Sequence, residues 1–134
     1  MRFIYNLLIY LAAPAALLMH LWRGLRDPSY RERLGERFVF GSALAGPTIW
    51  IHAVSVGEVQ AAEPLVRYLL ARHPRYPVLL TTVTPTGAAR ARQLFGTSVL
   101  LRYVPFDLPG AVRRFFDRVR PRLAMILETE LWPN

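Results

Sequence analysis

The chain has 134 residues, enough for one domain with a modest core, and it contains no cysteine, which excludes disulfides and thiolate metal sites. Its formal net charge is +8, and all 17 of its basic side chains are arginine. This composition indicates an anionic partner such as nucleic acid, anionic lipid or a phosphorylated small molecule. Arginine without lysine is equally expected from a GC-rich genome, so composition does not choose among these partners.

The chain begins with an uncharged apolar segment, "FIYNLLIYLAAPAALLMHLW", at residues 3–22. As a helix, this segment would rise about 30 Å, roughly the hydrocarbon thickness of a bilayer, and membrane helices tolerate an internal proline such as Pro14. No small-residue cleavage site follows Trp22, which disfavours a cleaved signal peptide. We therefore predict a membrane-anchor helix over residues 1–22, either a single span or a monotopic helix. Burial of the helix in a partner protein is the alternative.

Arginine is abundant in the next segment, residues 23–48, which we predict to be a basic juxtamembrane region and linker. By the positive-inside rule, these arginines place the body of the protein in the cytoplasm. Each arginine near an anionic membrane surface contributes about 1 kcal/mol of binding, but the interspersed acidic residues also suit a solvated, salt-bridged helix. No nucleic-acid-binding motif accompanies the arginines, so we predict no nucleic-acid partner.

Residues 49–134 alternate short apolar runs with segments of helical spacing. Near-continuous apolar strands that alternate with helices are typical of a parallel sheet covered on both faces. We therefore predict a Rossmann-like α/β domain, with strands at 49–56, 77–83, 98–104 and 122–128 and helices at 58–73, 87–95 and 109–119.

Polar segments follow the predicted strands: "SVGEV", "TPTG", "PFDLPG" and "ETELWPN". In open parallel sheets, ligands bind at the carboxyl edge, where such loops converge. The loops at the opposite edge, such as "RHPRYP", are instead basic and contain proline. This asymmetry predicts a site at the carboxyl edge, beside which Glu58, Glu128 and Glu130 would lie.

Each of these loops also has a local structural explanation. Ser55 and Glu58 have the spacing of a capping box, and Thr84 precedes a proline as an N-cap residue does. Asp107 is placed to cap the helix that follows it. Capping is the simpler hypothesis for the serine, the threonine and the aspartate, whereas Glu58 stays open between a cap and a catalytic base.

Other chemistries lack their usual motifs. The sequence contains no G-x-x-x-x-G-K-[ST] or H-E-x-x-H, and no G-x-G-x-x-G follows the first strand. We therefore predict neither a nucleotide phosphate loop in this segment nor a metal site. His52 falls within the first strand and is predicted to be a core or edge histidine rather than a ligand.

Four segments in order, "IWIHAVSVGEVQAAEPL", "TTVTPTGAAR", "YVPFDLP" and "ILETELWPN", closely resemble the 3-deoxy-D-manno-octulosonic acid (Kdo) transferases. The resemblance covers residues 49–134, and the apolar start with its arginines fits the family's N-terminal region. It implies an inner-membrane glycosyltransferase of lipopolysaccharide synthesis with the GT-B fold, in which two Rossmann-like domains face each other across a cleft. The first domain would receive the lipid A precursor (lipid IVA), and the second would bind the donor, CMP-Kdo.

The resemblance also implies a chemistry. Kdo would pass to an acceptor hydroxyl with inversion and without a metal or other cofactor, and Glu58 of the S-x-G-E motif would be the general base. Other motif positions would bind or position substrate: Ser55, Gly57, Thr84, Thr86, Gly87, Glu128 and Glu130. Arg23, Arg26 and Arg31 are candidate phosphate contacts, with solvated surface as the alternative.

The chain is shorter than the family's two-domain arrangement requires. Residues 49–134 would form an incomplete acceptor-binding domain, and the donor-binding domain would be absent. We therefore expect little or no transferase activity from this chain alone. The alternative function is a membrane-tethered, non-catalytic module that binds anionic lipid.

Overall fold

The computed structural model describes residues 2–28, 34–39 and 43–127. Three residues named above, Arg31, Glu128 and Glu130, lie outside the described residues. Within these ranges the chain forms helices α1 (Arg2–Arg26), α2 (Leu34–Arg37), α3 (Val56–Ala61), α4 (Glu63–Arg72), α5 (Pro85–Phe95) and α6 (Pro109–Val119), and strands β1 (Thr48–His52), β2 (Val78–Thr82), β3 (Leu100–Tyr103) and β4 (Pro121–Ile126).

The strands form one parallel sheet in the order β3-β2-β1-β4, which confirms the predicted α/β class and the parallel sheet. Every residue of the two central strands, β1 and β2, is buried. These strands are buried along their whole length because helices cover both faces of the sheet, and their polar residues are buried with them: Thr48, His52, Thr81 and Thr82.

The two faces of the sheet have separate cores, and the alternation of side chains along β1 divides them. Ile49 and Ile51 pack with residues of α3, α4 and α5 on one face. Trp50 packs on the other face against Phe115 and Val119 of α6. The ring centroids of Trp50 and Phe115 lie 4.9 Å apart in an edge-to-face contact.

The prediction of one helix over residues 58–73 was wrong, because two helices, α3 and α4, meet at Ala62. Pro64 lies in the first turn of α4 and has no backbone N–H, so it cannot donate to the carbonyl of Gln60 as a continuous helix requires. β1 is also shorter than predicted, because α3 already begins at Val56.

Helix α1 contacts the loop between β3 and α6. The Tyr5 hydroxyl donates a hydrogen bond to the Asp107 carboxylate. The rings of His20 and Phe106 meet edge to face, with centroids 5.6 Å apart. Both partners belong to the loop between β3 and α6, so α1 is held against the carboxyl edge of the sheet.

The outward side of α1 remains exposed and apolar. From Ile4 to Arg26 the helix has 23 residues and a mean hydropathy of 1.7, long and apolar enough to cross a membrane. Such a helix is typical of membrane-associated proteins. Its exposed large side chains include Leu7, Leu8, Leu11, Leu18, Met19 and Trp22.

Arg37 is not the solvated arginine expected in the juxtamembrane segment. Its side chain is only 6% exposed, and its guanidinium lies 4.6 Å from the centroid of the Tyr103 ring. The guanidinium also donates a 2.5 Å hydrogen bond to the carbonyl of Val83. A desolvated cation–π contact contributes about 2 kcal/mol and, with the hydrogen bond, offsets part of the cost of burying this charge, whereas Arg23 and Arg26 are exposed.

Candidate active site at the carboxyl edge of the sheet

The strand order creates a topological switch point beside β1. The chain builds the sheet outward from β1 through β2 to β3, and then returns to place β4 on the other side of β1. Ligands of open parallel sheets bind at the carboxyl edge beside such a point. The segment after β1 carries Glu58. The pairing of β1 with β4 continues to Leu127, whose N–H donates to the His52 carbonyl at 3.0 Å.

The loops after β1 and β2 are bound to each other at this edge. The Val54 carbonyl accepts a hydrogen bond from the Thr82 hydroxyl at 2.9 Å and another from the Val83 N–H at 3.1 Å. These bonds hold the first turns of α3 and α5 side by side. The structure therefore brings Ser55, Gly57 and Glu58 close to the segment that carries Thr84 and Gly87.

Glu58 lies in the first turn of α3 with its carboxylate held by two donors. One carboxylate oxygen accepts from the Val54 N–H at 2.5 Å, and the other accepts from the Ser55 hydroxyl at 3.0 Å. Ser55 is the N-cap residue, but its side chain makes no capping bond to the helix backbone. The predicted capping box is therefore not formed. The serine hydroxyl donates to Glu58 instead of accepting from the helix, and Glu58 accepts from the Val54 N–H rather than from that of Ser55.

The bonds of Glu58 leave room for a further donor. A carboxylate offers roughly four lone-pair positions, and the two bonds described use only two of them. The side chain is half-buried rather than enclosed. Glu58 is therefore both fixed in direction and accessible, as a base at this edge requires.

Thr84 and Gly87 have clear structural roles. Thr84 is the N-cap of α5, and its hydroxyl accepts from the Gly87 N–H at 3.0 Å, which confirms the predicted cap. Gly87 is buried where α5 passes the neighbouring loop, and a Cβ there would lie 2.5 Å from the Thr82 hydroxyl oxygen. Thr86 is exposed, and its hydroxyl donates to that of Thr84 at 3.3 Å. Substrate binding by these three residues stays a prediction.

Asp107 does not cap α6. The N-cap residue is Leu108, which has no capping side chain, and the Asp107 carboxylate accepts instead from Tyr5 of α1. The local capping prediction for Asp107 was wrong because a tertiary partner takes the carboxylate.

A buried polar group beneath the edge was not predicted from the sequence. The Thr81 hydroxyl accepts from the Trp50 indole N–H at 2.8 Å and lies 2.9 Å from the His52 Nδ1. His52 is 4% exposed, which confirms the core assignment. The alternation in "IWIH" puts the tryptophan and the histidine on one face of the strand, and this pattern could have predicted that the two side chains lie together. Across the described ranges, no three His, Asp or Glu side chains are grouped to hold a metal ion.

Gly57 has no local need to be glycine. It lies outside the left-handed backbone region, and no atom of the described residues would lie within 4 Å of an added Cβ. Alanine inside a helix is favoured over glycine by about 0.5–1 kcal/mol. Substrate binding at Gly57 therefore stays a prediction, which the open space around its Cα permits.

We expect Gly57→Ala in the full-length protein to keep or raise the midpoint of thermal unfolding and yet to lower turnover about 10-fold or more, because a methyl group would displace the acceptor. Parallel measurements of unfolding and steady-state turnover would check both parts. Unchanged turnover would show that no substrate approaches this turn.

These features define a class of protein. A fixed but accessible carboxylate on the first strand-to-helix turn, beside the switch point of a parallel sheet, is the arrangement of an α/β domain with its ligand site at the carboxyl edge. The chain belongs to the 3-deoxy-D-manno-octulosonic-acid transferase (kdotransferase) family, whose sequence profile matches residues 32–134. The resemblance noted from the motifs is thereby confirmed.

Three named relatives extend the comparison. The chain is 46% identical to the 3-deoxy-D-manno-octulosonic acid transferase of Haemophilus influenzae, over 99% of this chain and 32% of the relative. It is 41% identical to that of Bordetella pertussis, over 99% of this chain and 33% of the relative. It is 36% identical to the probable mitochondrial enzyme of Arabidopsis thaliana, over 98% of this chain and 31% of the relative. The chain thus spans about a third of the length of the curated relatives that it matches.

Proposed function

We propose that the full-length protein containing this chain transfers Kdo from CMP-Kdo to the lipid A precursor, as an inverting, metal-independent GT-B glycosyltransferase. The observation that carries the proposal is Glu58, a half-buried carboxylate directed by two hydrogen bonds at the turn after β1. Membership of the kdotransferase family supports the identity of the transferred sugar. The described domain is the acceptor side, and a following domain supplies the donor site.

In the proposed reaction, Glu58 takes the proton of an acceptor hydroxyl as that oxygen attacks the anomeric carbon of Kdo. The new glycosidic C–O bond forms while the bond from the anomeric carbon to the CMP phosphate breaks. CMP leaves with the bonding electron pair from the opposite face, so the configuration inverts. A positioned general base of this kind contributes about 100-fold or more to the rate.

Location and charge agree with a phosphorylated, membrane-bound acceptor. The exposed apolar side of α1 suits the cytoplasmic face of the bacterial inner membrane, whether the helix spans it or lies in it. Arg23 and Arg26 follow the apolar segment on the exposed last turn of α1, where guanidinium groups can form bidentate pairs with acceptor phosphates.

The proposal is tested with the purified full-length protein, CMP-Kdo and the lipid A precursor in detergent micelles. We expect CMP release matched by one Kdo–acceptor product of inverted configuration, with the same rate in a chelator. The 134-residue chain alone should release no CMP. Acceptor binding without any product from the full-length protein would contradict the proposal.

That outcome would favour the second candidate, a membrane-tethered module that binds anionic lipid without catalysis. The exposed apolar side of α1, followed by Arg23 and Arg26, is the observation that favours it.

A further inference from the structure

A cavity of about 580 Å³ separates α1 from the face of the sheet that carries α6. On one side it is lined by Ile9, Ala13, Ala16 and Leu17, which recur at helical spacing and form one face of α1. On the other side it is lined by apolar residues of the sheet and α6, among them Trp50 and Phe115. The walls are mostly hydrocarbon, so the cavity suits an apolar occupant.

The position of α1 makes this cavity open to lipid. Near its two ends the helix contacts the loop between β3 and α6, by Tyr5 to Asp107 and by His20 to Phe106. Its outward side is also apolar and exposed. With α1 at the membrane as proposed, the cavity behind it adjoins the acyl region of the bilayer.

The cavity also reaches the candidate active site. Val54 lines it, and the backbone N–H of Val54 is the donor that holds the Glu58 carboxylate. A ligand that lies in the cavity is therefore close to the turn that carries Glu58. The lining includes one cation, Arg37, and one anion, Asp107, so its charge does not select the ligand.

We propose that the cavity receives one acyl chain of the lipid acceptor and so fixes the acceptor sugar beside Glu58. This inference rests on the proposed function. When an acyl chain moves from the bilayer into the cavity, the apolar surface that it exposes to water hardly changes, because lipid and cavity are similarly apolar. The cavity therefore acts on the orientation of the acceptor more than on its membrane affinity. A bulk phospholipid gains no such advantage, because its head group carries no acceptor sugar to align with Glu58.

The test fills the cavity from α1 in the full-length protein. Ala13→Trp places an indole in the cavity, and Ala15→Trp places the same side chain on the exposed outward side as the matched control. We expect Ala13→Trp to lower kcat/KM for the acylated acceptor about 10-fold or more and to leave kcat/KM for a deacylated disaccharide acceptor unchanged. Ala15→Trp should change neither value. Equal losses in both variants, or with both acceptors, would overturn the proposal.

A second measurement does not depend on turnover or on the variant's stability. An acceptor with a diazirine on one acyl chain is photoactivated with the unmodified protein in nanodiscs, and labelled residues are mapped by mass spectrometry. We expect labels on Trp50, Val112 or Phe115, at several times the yield of a phospholipid with the same diazirine chain. Labels confined to the outward side of α1, or equal yields from the two lipids, would overturn the proposal. Cavity labelling without Kdo transfer would overturn the proposed function alone, and transfer without cavity labelling would overturn this inference alone.

Discussion

Replacement of Glu58 by glutamine in the full-length protein is expected to lower turnover about 100-fold or more without changing the midpoint of thermal unfolding. The glutamine side-chain oxygen can still accept from the Val54 N–H, and its amide group can donate to the Ser55 hydroxyl. The variant therefore keeps the first turn of α3 but cannot take a proton. Steady-state transfer rates and thermal unfolding of both proteins would measure the two effects.

Glu63→Gln is the matched control for this experiment. Glu63 lies in the first turn of the next helix, α4, and forms an exposed ion pair with Arg67 at 2.7 Å. Surface pairs of this kind contribute about 0–1 kcal/mol, so we expect wild-type turnover from the control. Near-normal turnover of Glu58→Gln would reduce Glu58 to a residue that stabilises the start of α3.

Replacement of Gly87 by alanine is expected to destabilise the protein by about 1–3 kcal/mol, because overpacking of a well-packed site forces side chains or backbone to shift. The added Cβ would lie 2.5 Å from the Thr82 hydroxyl oxygen and 2.9 Å from that of Thr84. The Thr82 hydroxyl donates to the Val54 carbonyl and so links the end of β2 to the β1–α3 loop, and the Thr84 hydroxyl caps α5. The midpoint of thermal unfolding should fall, and turnover should fall with it.

Gly110→Ala provides the comparison. Gly110 also lies in the first turn of a helix that begins with proline, but a Cβ there would lie 3.4 Å from a guanidinium nitrogen of Arg114 and 4.0 Å from the Tyr10 hydroxyl, which are ordinary contact distances. We expect no loss of stability from this variant. If Gly87→Ala unfolds at the same temperature as Gly110→Ala, the loops at the carboxyl edge are not packed as described.

The order and type of the strands and helices in residues 49–134 could be predicted because each element is marked by residues within its own segment. Each strand is a short apolar run, and both faces of β1 and β2 are covered, so neither strand needs a polar side. Helix α6 has the predicted bounds, Pro109–Val119, because proline at the first helical position marks its start. Thr84 was predicted as a cap for the same reason, since its partner, the Gly87 N–H, is three residues away.

The features that depend on distant partners could not be predicted. Asp107 accepts from Tyr5, which is 102 residues away in the sequence, and no local capping rule contains that contact. Arg37 is buried against the rings of Tyr103 and Phe106, which lie more than 60 residues away in the sequence. The cavity depends on how α1 is placed, and an apolar helix has no polar face from which that placement can be deduced.

The most direct test of the central claim is a crystal structure of the full-length protein with the lipid A precursor and CMP bound. We predict that an acceptor hydroxyl lies about 2.6–3.2 Å from a Glu58 carboxylate oxygen, at one of the positions that Val54 and Ser55 leave open. An acceptor bound elsewhere on the domain, with every hydroxyl beyond the reach of Glu58 and of a single bridging water, would contradict the account.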